Sequence, residues 1–425
     1  MILDDLAQVI YAPVTAFKRI IENPKYLGAF IVLILFIGLM FGFEYVQFAK
    51  TRLENTSPSI GTLAQYTNAT LWTNSTSTSL TNNYSDYINY TVYVTPNAYY
   101  NLFTNYTNTP GPSSLEIDAP DATNESATLE NLFNVNCAAD GFLNLSMTIK
   151  LVSPQTVPQS AALTLYSLND SNYYTYQLTN ALSSTSEIGV WQNLTIPLGP
   201  QSQGWSVSGT PNWGNITAIK LDFTYPSPSN ITIRIGALFF RGQYESPLTT
   251  EGLTASASFV EAFSLQFIFT WLLLTGLIYL LFKGLKASIT WKPLFVSVAF
   301  AMLVMVIRAL IGFLASFTLG TIYFPYDVFI GSAPTILGVL SYPSQAVGLL
   351  SSQSQTAVNA VFSATAFISN LTLALFAIAY VWLGFLCTII IGQINPAFSM
   401  TKKIGIAGIS VGVTIFLLLI FSIPI

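Results

Sequence analysis

Five runs of mostly apolar residues decide what this chain can become. They fall at about 27–48, 262–282, 293–319, 366–391 and 404–424, each close to the ~20 residues a helix needs to cross a hydrocarbon core. Lipid offers the backbone no hydrogen-bond partners, so runs of this length are satisfied as helices. An α-helical integral membrane bundle of about five transmembrane helices is therefore expected. Charged residues make up 8% of the chain, against roughly 25% in soluble domains. About 26 residues precede the first run, it is too long for a signal-peptide core, and no small-residue cleavage site follows. It is expected to stay as a helix.

Basic residues set the orientation. Lys18, Arg19 and Lys25 precede the first run, Lys283, Lys286 and Lys292 lie between the second and third, and Lys402 and Lys403 lie between the fourth and fifth. Five crossings put all three clusters on one side, the cytoplasmic side by the positive-inside rule. Lys50 and Arg52 dissent on the outer side. Residues about 50–260 and the C-terminus are then extracellular, and the expected location is the plasma membrane.

The long outer segment reads differently. Residues 55–110 are rich in Asn, Ser, Thr and Tyr, with one strand-like run at 87–94, and suit a polar stalk or an irregular cover. From about 113 to 245, runs such as LNLSMTIKL, AALTLYSL, VWQNLTIPL and ITAIKLDFT alternate apolar with polar residues between Gly, Pro and Asn clusters. Strands at this spacing without helices between them indicate an all-β sandwich or jelly roll. The segment also holds N-x-S/T sequons at Asn55, Asn68, Asn74, Asn83, Asn89, Asn105, Asn124, Asn144, Asn169, Asn193, Asn215 and Asn230. Their near-confinement to the outer segment favours N-linked glycosylation over chance. Asn370 fits the pattern but lies within a span. Four divisions are expected: residues 1–50, an amphipathic segment and first helix; 51–112, the stalk or cover; 113–250, the sandwich; and 255–425, four further helices.

Two resemblances follow. LNDSNYYTYQL, GVWQNLTIPLG, WGNITAIKLDF and ITIRIGALFFRG, in that order over about 130 residues, resemble the galactose-binding-like jelly roll of many carbohydrate-binding modules. Gly236 stands where such modules often carry an acid, which argues against a structural calcium ion. YAPVTAFKRIIENP before the first span, KPLF opening the third, and WLGFL with SMTKKIG before the fifth resemble the Yip (Rab-GTPase-interacting) membrane-protein family, including its prokaryotic members. That resemblance covers about 1–50 and 255–425 and implies a non-enzymatic five-helix bundle with a cytoplasmic N-terminus. The long β insertion departs from the compact family pattern, and the short N-terminus offers little surface for a GTPase.

Trp191, Trp205 and Trp213 are the aromatics able to stack on a sugar. The jelly-roll resemblance places Trp191 inward, in the core. Trp205 and Trp213 lie in the loop GWSVSGTPNWG and are the candidate ligand platforms. The outer acids Asp118, Asp121, Glu125, Asp140, Asp170, Glu187 and Asp222 look short of basic partners, which suggests a domain indifferent to acid. Within the third run, Arg308 is costly in lipid and calls for a partner. Counted from Pro293 and Leu27 at 1.5 Å per residue, Arg308 and Glu44 stand about 22 and 26 Å above the cytoplasmic ends, so an intramembrane ion pair is expected.

The chain has no histidine, the commonest general base and metal ligand. It shows no phosphate loop or nucleophile elbow, and no enzyme, cofactor or metal is expected. Cys137 and Cys387 fall on opposite sides and read as small buried residues. A net charge of −4 without a basic cluster argues against nucleic acid. The expected partners are the bilayer, N-linked glycans, and surface polysaccharide or neighbouring surface-layer proteins. The expected function is a cell-surface scaffold or accessory subunit, the alternative a transporter component whose β-domain captures substrate.

Overall fold

The computed structural model describes residues 2–58, 65–74, 79–86, 113–183, 188–325 and 352–420. The strand-like run at 87–94, Asn89, Asn105 and Glu187 lie outside them.

The molecule is a helical membrane bundle carrying a β-sandwich. Two short amphipathic helices, α1 (Ile2–Tyr11) and α2 (Pro13–Glu22), lead into α3 (Tyr26–Lys50). A short helix α4 (Thr179–Ser183) belongs to the sandwich. The bundle continues with α5 (Pro247–Gly284), α6 (Trp291–Ala301), α7 (Leu303–Ser316), α8 (Ser352–Ile394) and α9 (Met400–Ile420). Five helical stretches are long and apolar enough to cross a membrane: Tyr26–Lys50, Ser256–Gly284, Trp291–Ser316, Asn359–Ile394 and Met400–Ile420. Neighbouring pairs α3–α7, α7–α8, α8–α9, α9–α5 and α5–α3 close a ring.

Two features depart from the sequence pattern. The third span is two helices rather than one, with the break at Met302. There the N–H of Met305 bonds the carbonyl of Met302 at 2.8 Å, a tight i+3 turn that interrupts the α-ladder without proline. The other departure is length. Helix α5 has 38 residues, about 57 Å at 1.5 Å per residue, well beyond a ~30 Å hydrocarbon core. Its first turns and those of α8 are too polar to register as apolar runs, yet both helices extend beyond the apolar stretch.

Close approach in the bundle depends on small residues. A Cβ added at Gly28 of α3 would lie 2.1 Å from Cζ of Phe300, and one at Gly42 would lie 2.8 Å from Phe313. Missing side chains let ring and backbone pack directly, as is usual where lipid supplies no hydrophobic drive between helices.

The sandwich strands are β1 (Thr51–Ser57), β2 (Trp72–Asn74), β3 (Ser79–Asn83), β4 (Ser114–Leu129), β5 (Asn144–Ser153), β6 (Ser160–Ser167), β7 (Asn169–Gln177), β8 (Gln192–Pro197), β9 (Trp205–Ser208), β10 (Ile216–Glu245) and β11 (Ile322–Phe324). Two long strands organise them. The first part of β10 pairs with the end of β4 and with β6, which continues to β7 and β9. The second part pairs with the start of β4 and with β5, giving the order β3–β4–β10–β5–β8. The ladder between β4 and β10 slips around 224–231, beside Pro226 and Pro228, so each strand changes sheet there. Between the layers lie Ile117, Leu145, Ile149, Leu163, Ile219, Phe223, Ile233 and Phe240, all essentially inaccessible.

Strand β1 emerges directly from α3 and pairs with β10, which runs on into α5. The segment after α7 returns as β11, parallel to β1. The ends of α3 and α7 and the start of α5 therefore meet the sandwich on one side, and the three Lys/Arg clusters lie at the other. Arg241 of β10 grips buried Glu54 of β1 through two hydrogen bonds of 2.9 Å, fastening the strand that leaves the membrane.

Candidate functional site

The outward face of β3–β4–β10–β5–β8 follows from register. Ile117, Ile233, Ile149 and Leu194 alternate inward, so their neighbours face out. Thr81 lies opposite Glu116, Glu116 opposite Arg234, and Arg234 opposite Lys150. One step beyond the Ile149–Gln192 pair brings Trp191 beside Lys150. A transverse row Thr81–Glu116–Arg234–Lys150–Trp191 thus crosses five strands. Next to it runs a second row that includes Asn83, Ser114, Thr148 and Asn193. Thr148 donates to Asn193 Oδ1 at 2.8 Å. Gly236 falls in the register slip between Ile235 and Ala237, a bulge position that suits glycine.

Asp86 closes the first row from above. Its carboxylate accepts from Lys150 Nζ at 2.8 Å, from Trp191 Nε1 at 3.1 Å and from Arg234 Nη1. Arg234 Nε also bonds Glu116 at 2.6 Å, and Asn83 donates to the same oxygen. The Asn83 side chain accepts the N–H groups of Ser85 and Asp86, and Ser114 Oγ bonds the Asp86 carbonyl. The turn holding Asp86 is therefore fixed. Partial desolvation pushes its pKa up, but the hydrogen bonds from Lys150, Arg234 and Trp191 outweigh it and hold the carboxyl below its usual range. Two cations and two carboxylates balance. Beside them is a half-buried Trp191 with Lys150 Nζ 5.9 Å from its ring centre. The face offers one aromatic surface and several fixed donors and acceptors, the groups that bind a hydroxyl-rich ligand.

This placement corrects three expectations. Trp191 is outside the core, on the face it shares with Asn193. Parity carried the signal: an asparagine that can receive a glycan points outward, and Trp191 is two residues before it. Trp213, expected as a platform, is 9% exposed and stacks on Tyr174 at 3.9 Å, while its carbonyl accepts from Cys137 N–H. Trp205 is half-buried against Trp213, Tyr174 and Tyr176, with its indole N–H on the Pro197 carbonyl at 2.7 Å. Together these aromatics pin β9 and its loop to β7. Third, the domain does carry ion pairs, although of the acids named from the sequence the one paired is Asp222, with Lys220 at 2.7 Å. All four Lys/Arg between 113 and 245 are ion-paired: Lys150, Lys220, Arg234 and Arg241. Their acids include Glu54, Asp86 and Glu116, brought to them from distant parts of the sequence.

Among the sequons, Asn74, Asn124, Asn169, Asn193 and Asn230 are exposed, and Asn55, Asn68, Asn83, Asn144 and Asn215 are partly buried. Asn83 already donates to Glu116, so a glycan there would break the polar row. Burial pushes the Cys137 thiol up to about 12, in keeping with an inert side chain.

Inside the bundle, Arg308 and Glu44 are both buried but form no pair. Gly28 lies level with Phe300, and Gly42 with Phe313, so Arg308 is level with about residue 37, well below Glu44. Counting both helices from equal heights ignored this offset. Arg308 instead lies 5.3 Å from the Phe376 ring centre on α8, near Tyr380.

The fold and site define a multi-pass α-helical membrane protein with a β-sandwich appended on one side. No family model and no curated protein matches the chain. Similar solved structures include a family 11 carbohydrate-binding module from Clostridium thermocellum in complex with a β-1,3-1,4-mixed-linked tetrasaccharide, at 12% identity over 40% of this chain and 88% of that one, TM-score 0.23. A β-1,2-glucanase from Parabacteroides distasonis shares 21% identity over 32% of this chain and 19% of its own, TM-score 0.24. An arabinose-bound α-L-arabinofuranosidase shares 11% over 40% and 23%, TM-score 0.27. Scores this low carry no functional weight.

Proposed function

We propose that this is a non-enzymatic cell-surface protein, a scaffold or accessory subunit, whose β-sandwich contacts neutral glycan on polysaccharide or on neighbouring surface proteins. The observation that carries this reading is the row Thr81–Glu116–Arg234–Lys150–Trp191 with Asp86 above it. Its charges balance, which disfavours acidic sugars, and its polar groups are held rigid on strands, which lowers the cost of ordering them on binding. The carbohydrate-binding-module resemblance of the sequence supports the same class of ligand. The Yip-like resemblance and the five-helix order support a bundle that anchors rather than catalyses. Glycans on exposed Asn74, Asn124, Asn169 and Asn230 would leave the row open.

The test is a glycan array probed with the detergent-purified full chain. Binding to neutral glycans that Trp191→Ala weakens about tenfold or more, with a melting temperature that falls less than for Trp213→Ala, is expected from the loss of one stacking platform. An array with no bound glycan, or binding indifferent to Trp191, would sink the proposal. The transport reading draws support from one feature, the buried polar group Arg308, Tyr380, Thr270 and Gln266 within the bundle.

A further inference from the structure

At the end of the bundle away from the sandwich, the chain gathers charge of one sign. Residues 1–25, 283–292 and 393–403 hold eight Lys/Arg against three Asp/Glu. Asp5 is paired with Arg19 at 2.6 Å, which leaves Asp4 and exposed Glu22 as the other acids. Between α2, the α5–α6 turn and the end of α8 opens a cleft of about 360 Å³. Its polar lining is Lys283, Ser288, Thr290 and Gln393, and no carboxylate lines it. Among the described residues, Ser288, Thr290 and Gln393 use none of their side-chain hydrogen-bonding capacity. Among the described residues, the partner of the Lys283 ammonium is the Tyr279 ring, 5.5 Å away.

Helix α6 starts at the same wall. Its first N–H groups have no intrahelical acceptor, and its N-cap Thr290 makes no side-chain cap. Lys283, Ser288 and Thr290 are exposed and Gln393 is half-buried, so the cleft opens to the surface, and a positive helix end, an ammonium, two hydroxyls and an amide on its wall are the donor set of a phosphate ester. Depth identifies which phosphate. Trp291 and Tyr26 are exposed beside the cleft, and such aromatics sit at headgroup level in membranes. Ile21, Ile289 and Ile394 line the cleft as well and give it apolar surface that an acyl chain could cover.

We propose that this cleft binds the phosphate of an anionic lipid headgroup from the adjoining leaflet, with Lys283 and the α6 N-terminus as the anchoring groups. The site is independent of the glycan-contacting face and lies at the opposite end of the molecule. Specific lipid in it would tie α2, α5, α6 and α8 together at the membrane surface.

The test is thermal unfolding of the detergent-purified full chain, titrated with short-chain phosphatidic acid, phosphatidylglycerol, phosphatidylcholine or inorganic phosphate. The two anionic lipids are expected to raise the melting temperature saturably, and phosphatidylcholine to have little effect. Lys283→Gln should weaken the anionic-lipid titration about tenfold, the scale of one lost charge-assisted contact. Lys18→Gln, on the same face but outside the cleft, should leave it unchanged. Both variants should melt like the parent without lipid; if Lys283→Gln does not, Ser288→Ala with Thr290→Ala replaces it. A shift from inorganic phosphate equal to that from lipid would reassign the site to free phosphate and overturn the lipid proposal. Equal shifts from phosphatidylcholine and the anionic lipids, or equal losses for Lys283 and Lys18, would overturn the cleft itself.

Discussion

Single residues in the sandwich divide into those that hold it and those that can bind. Trp213 is enclosed and stacked on Tyr174, so Trp213→Ala leaves a cavity and is expected to cost about 3–5 kcal/mol. Trp191 lies half-buried on the outer face, and Trp191→Ala should cost clearly less. Denaturant unfolding of the two variants measures the order directly; equal costs would return Trp191 to the core. Asp86 is a selectivity residue in this scheme. Asp86→Asn keeps the turn's size but leaves Lys150, Arg234 and Glu116 with a net positive charge. The variant is expected to gain binding to uronate-containing glycans that the parent ignores, measured on the same array at low salt. Unchanged selectivity would show that charge balance does not choose the ligand.

Among the elements, the contact between α3 and the α6–α7 span is the most sensitive to volume. Gly28→Ala puts a methyl group 2.1 Å from the buried Phe300 ring, and overpacking of this kind typically costs about 1–3 kcal/mol. A lower melting temperature in detergent is expected, with partial rescue by Phe300→Leu. The same register separates Glu44 from Arg308. Their substitutions to Leu should therefore behave independently, the double variant showing the sum of the single costs to within about 0.5 kcal/mol. A double variant much milder than the sum would restore the ion pair. Strand β1 has a different dependence. Glu54 is 3% exposed and held by both ends of the Arg241 guanidinium, so the join between membrane helix and sandwich rests on a buried charge pair as well as on a ladder.

At the scale of the whole molecule, charge is sorted by side, and the sandwich side is expected to respond to acid. The Asp86 carboxyl is held below its usual range when folded. Its contribution to stability is therefore present above the unfolded value, near 3.9, and is lost as pH falls through the lower folded value. Melting of the full chain should be flat from neutral pH to about 4.5 and drop below about pH 4, a drop that Asp86→Asn reduces. Constant stability to pH 2 would contradict the ion-pair network and revive an acid-indifferent domain.

The five apolar runs and the period-two strands were legible because each is a local pattern: lipid demands helices of a given length, and a half-buried sheet demands alternation. The membrane bundle with a β-sandwich followed from sequence alone. So did the one-sided basic clusters that now surround the cleft at the end of the bundle away from the sandwich. What tertiary structure decided was everything that depends on register between distant segments. Trp191, Lys150, Arg234, Glu116 and Thr81 are spread over more than 150 residues and meet because five strands pair at particular offsets. Asp86 joins them from a turn with no periodic signal. Glu44 and Arg308 part company because Phe300 fills the space that Gly28 leaves, sliding one helix along another by about two turns relative to their ends. A sequence specifies which faces are apolar, but the offset between two faces is fixed by the packing of the side chains that meet there.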